Sequence, residues 1–257
     1  MSIYQHFRPE EREFIDQVIN WKEYVEQNYA PKLTDFLDPR EQQILKTVIG
    51  KHPDVKWELF GGASGTERKR AFLFPAYLAV NEEDFQLKLF GIEYPSKFVN
   101  IEHRQVLGSL MSLGLKRGKF GDILIDGDTV QFFAVSEIAD YIRLQLESIG
   151  RASIRLTELS LENAVTIDDE WNEMSTTVSS LRLDTVLSGI FNLSRQKSQL
   201  LIQHGQVKVN WTAIENTAFE CGEGDVLSAR GYGRAKIITV EGKTKKDKYR
   251  VIAGRKK

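Results

Sequence analysis

Three cations near the C-terminal end of the chain are spaced in a way that suits phosphate. Arg182, Arg195 and Lys197 each fall where an apolar helical pattern begins. A helix start offers unpaired backbone N–H groups and the positive end of the helix dipole, and a guanidinium placed there adds two parallel charge-assisted bonds. Asp184, two positions after Arg182, is expected to orient it. Lys208, Arg230 and Arg234 follow around short strand patterns and complete a candidate RNA-contacting set.

The elements that must position these residues run from Leu181 to Gly231. Val186, Leu187, Ile190 and Phe191 give a first helix its core face. Ser194 caps a second helix anchored by Leu200, Leu201 and Ile202, and Gly205 ends it. Val207-Lys208-Val209-Asn210, a polar connection and Gly224-Asp225-Val226 then read as a hairpin. Charge points the same way. Residues 1–180 carry 20 Lys+Arg against 29 Asp+Glu, whereas 181–257 carry 15 against 7. An acidic body with a basic end suits a polyanionic partner. Lys243, Lys245, Lys246, Lys248, Arg255, Lys256 and Lys257 supply much of that excess, so a solvated lysine-rich tail is the plainer alternative.

The 257 residues leave room for two domains, or three small ones. The expected class is α+β. Residues 1–80 read as a small N-terminal α/β domain, with a helix carrying Phe14, Val18, Trp21 and Val25, a second helix opened by Asp38-Pro39, and a strand over Val55–Phe60. Residues 81–162 read β-α-β-β-α-β, a ferredoxin-like order resembling RNA-recognition motifs, in which two helices cover one sheet face and leave the other open. Phe90 is then a stacking candidate on the open face, as is one of Phe132 and Phe133, and Lys116, Arg117 and Lys119 form a basic loop: a candidate second RNA surface. Residues 163–180, with Asp168-Asp169-Glu170 and a Ser/Thr cluster, read as a linker before the C-terminal domain, 181–257.

Several chemistries are disfavoured. Gly61–Thr66 lacks the Gly-Lys-Ser/Thr ending of a phosphate loop and reads as a hairpin loop. A single cysteine, Cys221, excludes a disulfide framework, and four histidines without paired spacing suggest no metal site. No cofactor motif is present. No run is apolar enough to span a bilayer and the first twenty residues are charged, so a cytoplasmic protein without membrane insertion is expected.

Arg182-Leu183-Asp184, Ser194-Arg195, Leu201-Ile202, Gly205-Gln206-Val207, Val209-Asn210, Gly224-Asp225 and Arg230-Gly231 resemble the RNA-binding domain named after small-subunit ribosomal protein S-four. Trp211 stands where that pattern commonly has glycine, and Ser198 where alanine is frequent. Val209-Asn210-Trp211, Arg230-Gly231-Tyr232-Gly233-Arg234, His103-Arg104, Leu107-Gly108, Leu113-Gly114, Lys116-Arg117 and Gly121-Asp122-Ile123 resemble the YlmH family, and with them the resemblance covers most of the chain. It implies a cytoplasmic factor that binds rRNA and tRNA on the large ribosomal subunit, acts in ribosome-associated quality control of stalled peptidyl-tRNA, and has a link to cell division; a monomer without catalytic activity is expected. The alternative is an RNA-modifying enzyme, because Arg182–Gly189 resembles the aspartate segment of pseudouridine synthases, although Leu187 stands where that segment wants threonine.

Overall fold

In the computed structural model, which describes residues 3–7, 9–166, 171–244 and 247–256, side-chain caps open some of the helices, Asp38 and Ser194 among them. Helix α1 (Arg12–Asn28) buries Ile15, Val18 and Val25. After strand β1 (Lys32–Leu37), helix α2 (Pro39–Ile49) starts at Asp38. The Asp38 carboxylate accepts from the Glu41 N–H at 2.9 Å, and the Glu41 carboxylate accepts from the Asp38 N–H at 2.6 Å. Strands β2 (Val55–Phe60) and β3 (Lys69–Pro75) pair as a hairpin, so Gly61–Thr66 is its loop and no helix follows it. The sheet order is β1-β3-β2.

The middle of the chain has the expected β-α-β-β-α-β course. Strand β4 (Leu87–Glu93), helix α3 (His103–Ser112), strands β5 (Phe120–Asp126) and β6 (Thr129–Val135) and helix α4 (Ala139–Gln145) follow in turn. A small β7–β8 hairpin (Ser148–Ile149 with Ala152–Ser153) precedes strand β9 (Arg155–Leu159), and the sheet order is β5-β6-β4-β9. Phe90 and Phe132 stack at 5.3 Å inside the core formed with α3 and α4.

The expected open face is not open. Leu87, Leu89, Leu124, Phe133 and Val135 point away from the helices and pack with Phe36, Phe72 and Phe74 of the first sheet in one core. The segments 1–80 and 81–162 are therefore joined face to face, within a compact unit spanning 1–167. The cause lies in β6, whose residues Val130–Val135 are buried without alternation, as a strand covered on both faces requires. Contact is close: a Cβ at Gly62 (φ +98°) would lie 2.4 Å from the Phe133 ring.

The second compact unit spans 168–257. Of the expected linker, residues 167–170, with the run Asp168-Asp169-Glu170, lie outside the described residues, and much of the described remainder is structured. Trp171–Val178 is strand β10, paired along its length with the last strand, so the linker expectation fails there. Helices α5 (Leu183–Phe191) and α6 (Arg195–Gln203) follow, then β11 (Val207–Val209), β12 (Thr212–Ala213), β13 (Val226–Ala229), β14 (Gly233–Lys243) and β15 (Tyr249–Lys256). The sheet order is β10-β15-β14-β13-β11-β12, and one of its faces shares a core with α5 and α6. The lysine-rich stretch is thus mainly two paired strands and not a tail, while Lys245, Lys246 and Lys257 lie outside the described residues. Among the described residues no helix is long and apolar enough to cross a membrane.

Trp211 has a local explanation here. Val209 pairs with Thr212, so Asn210 and Trp211 are the two central residues of a tight hairpin, with φ of 48° and 66°. Both signs belong to a type I′ turn, whose second position normally takes glycine. A tryptophan held there carries a strain of roughly 1–2 kcal/mol.

Removing the side chain that joins the two sheets of the first unit tests this arrangement. Phe133→Ala is expected to lower unfolding free energy by about 3–5 kcal/mol, read from the urea midpoint. A loss below about 1 kcal/mol would be typical of a surface site and would contradict burial on both faces.

Candidate nucleic-acid interface

Asp184 lies in the first turn of α5 with no exposed surface. One carboxylate oxygen accepts from Arg182 Nε at 3.2 Å and from the Thr185 hydroxyl at 3.2 Å. The other accepts from Arg195 Nε at 3.0 Å, Gln199 Nε2 at 2.9 Å and Arg182 Nη2 at 3.4 Å. Burial by itself would raise this carboxyl, but hydrogen bonds from Arg182, Gln199 and Arg195 and the Arg195 charge hold it well below the usual carboxylate range. It is therefore an anion at neutral pH, enclosed by two cations.

Both guanidiniums remain accessible on their far sides. The Arg182 and Arg195 side chains are 37% and 57% exposed, so each is anchored at Nε and still meets solvent. Among the described residues, Arg182 Nη1 and the terminal nitrogens of Arg195 meet no hydrogen-bond acceptor. Two forks fixed side by side, each with donors left over, suit phosphate oxygens. Lys197 is exposed in the first turn of α6, but two positions on from Arg195 it lies on a different side of the helix.

The helix starts contribute less than expected. The Leu183 N–H donates to Phe219 O at 2.8 Å and the Asp184 N–H to Thr217 O, while those of Thr185 and Val186 donate to Arg182 O. Those donors of α5 are consumed by the protein. At α6 the Ser194 hydroxyl accepts from the Lys197 N–H at 3.2 Å. The start of α5 therefore has little left to offer an anion, and the candidate donors there are the guanidiniums.

Not all candidate residues converge. Lys208 alternates with buried Val207 and Val209, and Arg234 precedes buried Ala235, so both point away from the helix-covered face. They flank Ser228 in register across β11, β13 and β14. Arg230 is exposed beyond β13, its N–H bonded to Gln206 O. The basic set is split between the Asp184 cluster and the outward sheet face.

The candidate second RNA surface does not survive. Phe90 is fully buried and cannot stack on a base. Arg117 turns inward, donating to Phe120 O at 2.5 Å and Gly121 O at 3.2 Å, and burial pushes it down to about 10. Lys119 bonds Asp35 at 2.8 Å and also Glu137; burial lowers its pKa, but those partners outweigh it and raise it. Of the four residues only Lys116 is exposed. Arg70 likewise is structural, bonded to Thr34 O and Phe85 O in the interior.

Several polar groups escaped the sequence reading. Gln199, one turn after Arg195, is the third donor from outside α5's first turn onto Asp184; only its i+4 spacing signalled this. Asn210 donates to Asp225 at 2.6 Å and accepts from the Val226 N–H at 2.9 Å, a long-range clamp. His52 comes near Glu26 and Asp54, yet its Nδ1 already accepts from backbone N–H groups of Asp54 and Val55.

Comparison with known proteins matches three family models. These are "YlmH, N-terminal" over residues 10–78, "Putative RNA-binding domain in YlmH" over 80–163 and "S4 domain" over 181–227. A relative from Bacillus subtilis (strain 168), "Ribosome-associated protein quality control protein P2", is 49% identical over 258 residues, covering 100% of this chain and 99% of its own. A solved structure, "Cell division protein ylmH from Streptococcus pneumoniae", is 32% identical, covers 64% of this chain and 100% of its own, and superposes with a TM-score of 0.56.

Asp184→Asn tests the ionic anchor. Losing charged hydrogen bonds is expected to destabilise the fold by about 1.5–3 kcal/mol at pH 7. The folded carboxyl lies below its unfolded value of about 3.9. Its contribution is therefore complete above about pH 4 and is lost as pH falls toward the folded value. The urea-midpoint gap between wild type and variant should narrow on acidification; a gap that widened would contradict the anchor.

Proposed function

The chain belongs to the YlmH family, and on that footing we propose that it is a non-catalytic RNA-binding protein of the cytoplasm, acting as a monomer on structured rRNA or tRNA of the large ribosomal subunit during quality control of stalled peptidyl-tRNA. The observation that carries this reading is the pair of guanidiniums held by buried Asp184 on side chains that remain partly exposed. Preorganised forks lose less freedom on meeting phosphate than unrestrained lysines do. The RNA-binding and S-four-type modules, and the name of the B. subtilis relative, support a ribosomal setting.

Asp184 argues against the pseudouridine synthase alternative. A nucleophile or general base must reach substrate, whereas this carboxylate has no exposed surface and is satisfied by two arginines, a glutamine and a threonine. Its role in this reading is to position the arginines. The pneumococcal relative carries a cell-division name, in keeping with a link of this family to division.

Binding of purified protein to structured rRNA or tRNA should weaken steeply with salt as phosphate contacts release counterions. Arg182→Ala and Arg195→Ala should each reduce the slope of log K against log salt by about 1 and lower co-sedimentation with large subunits. Circular dichroism would report whether each variant is folded. Salt-independent binding, or unchanged co-sedimentation of both folded variants, would overturn the assignment; association surviving nuclease would favour a protein scaffold.

A further inference from the structure

Trp211 occupies a position where a side chain is a liability. Its φ of 66°, following Asn210 at 48°, places it at the glycine position of the β11–β12 turn. Core packing does not account for it: among the described residues, Trp211 joins none of the four hydrophobic clusters, although it is only partly exposed. A large aromatic is therefore kept at a strained hairpin tip. Strain of this kind persists where surrounding structure over-determines it.

The surroundings do so through one continuous hydrogen-bonded segment. Asn210 donates to Val226 O at 2.8 Å from its backbone and to one Asp225 oxygen at 2.6 Å from its side chain. The other Asp225 oxygen accepts from the Gly222 N–H at 2.8 Å. One residue back, the Cys221 N–H donates to Leu181 O at 2.9 Å, and Glu220 is bridged to Arg182. The stretch 220–225 thus braces the Trp211 turn at one end and the Arg182 backbone at the other. Lys208, exposed on β11 just before the turn, adds a cation nearby in sequence.

We propose that Trp211 is a base-stacking residue, extending the RNA interface from the phosphates met by Arg182 and Arg195 to an unpaired nucleobase. This rests on the RNA-binding reading and adds to it. Arginine forks recognise the backbone of any strand, whereas an indole stacks on a base that has left its helix. The recognised element is accordingly a loop, bulge or end beside a duplex. The indole's partly exposed setting leaves surface for such a contact, and the rigid turn reduces the freedom lost on stacking.

The test sets stability against binding. Trp211→Gly restores the residue that a type I′ turn favours, so its thermal midpoint should equal or exceed that of wild type. Its affinity for a synthetic RNA stem-loop with an unpaired loop, measured by fluorescence anisotropy at fixed salt, should fall about 5- to 150-fold. Affinity for the same stem as a blunt duplex should be unchanged, and Trp211→Phe should recover most of the stem-loop binding. A lower midpoint for Trp211→Gly, equal losses on both RNAs, or no loss on either would overturn the proposal. Arg182→Ala, measured alongside, separates the failures: weakening on both RNAs keeps the RNA-binding reading whatever Trp211 does, and no weakening on either rejects that reading itself.

Discussion

A carboxylate taken fully out of water is tolerated only when the protein meets its charge and its lone pairs. Asp184 meets that requirement with donors from both helices and the residue before the first: Arg182, Thr185, Arg195 and Gln199. Moving α6 relative to α5 would strip two of those donors, so the ionic cluster constrains the packing of the pair. Ser198 is fully buried between Arg195 and the apolar residues Leu201 and Ile202 and is itself back-bonded to Ser194 O, which keeps that turn of α6 small and close. One buried anion thereby links the placement of two helices to the aim of two surface cations. An arginine that ends in solvent is normally mobile, and here each is tethered to Asp184, Arg195 through Nε and Arg182 through Nε and Nη2.

The first unit uses its polar groups for a different purpose. Its two sheets meet through phenylalanines, and the groups at the margin of that contact are consumed internally. Asp122 accepts from the Glu67 and Arg68 N–H groups, Gln131 exchanges bonds with Asn163 and Val165, and Arg70 spans Thr34, Phe85 and Gln86. Burial is the main cause that pushes Arg70 down to about 10. A sheet of RNA-recognition topology has therefore given its customary stacking face to an intramolecular partner. Recognition by this unit, where it occurs, must come from edges and loops such as that of Lys116.

Elements with local causes were legible in the sequence. The Asp38-Pro39 start, the Ser194 cap, the Gly61–Thr66 hairpin loop and the β-α-β-β-α-β order each follow from signals within a few residues. What was not legible depends on residues far away. β10 reads Trp-Asn-Glu-Met-Ser-Thr-Thr-Val, a polar pattern suited to an edge strand, and its partner begins at Tyr249, 71 positions after Val178. The covered sheet face had a local trace, the unbroken run Phe132-Phe133-Ala134-Val135, but interpreting it required knowing that β3 presents Phe72 and Phe74. At the candidate site, the Arg182–Asp184 contact was readable because the two lie two positions apart, whereas the convergence of Arg195 from α6 on the same carboxylate depends on how the helices pack. Arg117 and Lys119 were misread because no nearby pattern reveals the carbonyls and carboxylates that occupy them.

Net charge and geometry contribute at different ranges. The excess of cations in residues 181–257 acts on any polyanion, but beyond a screening length of about 8 Å at physiological salt it does little to distinguish one RNA from another. It also does not depend on where each cation sits, so Lys208 and Arg234 on the outward sheet face serve it as well as Arg195 does. Discrimination needs donors held in place. The Asp184 cluster supplies two, and the Asn210–Asp225 clamp fixes a rigid hairpin braced by the same segment that holds Arg182. A solvated tail would have provided the charge without the placement. Folding the lysine-rich stretch into β14 and β15 places much of that charge on a framework, with β15 held between β14 and β10.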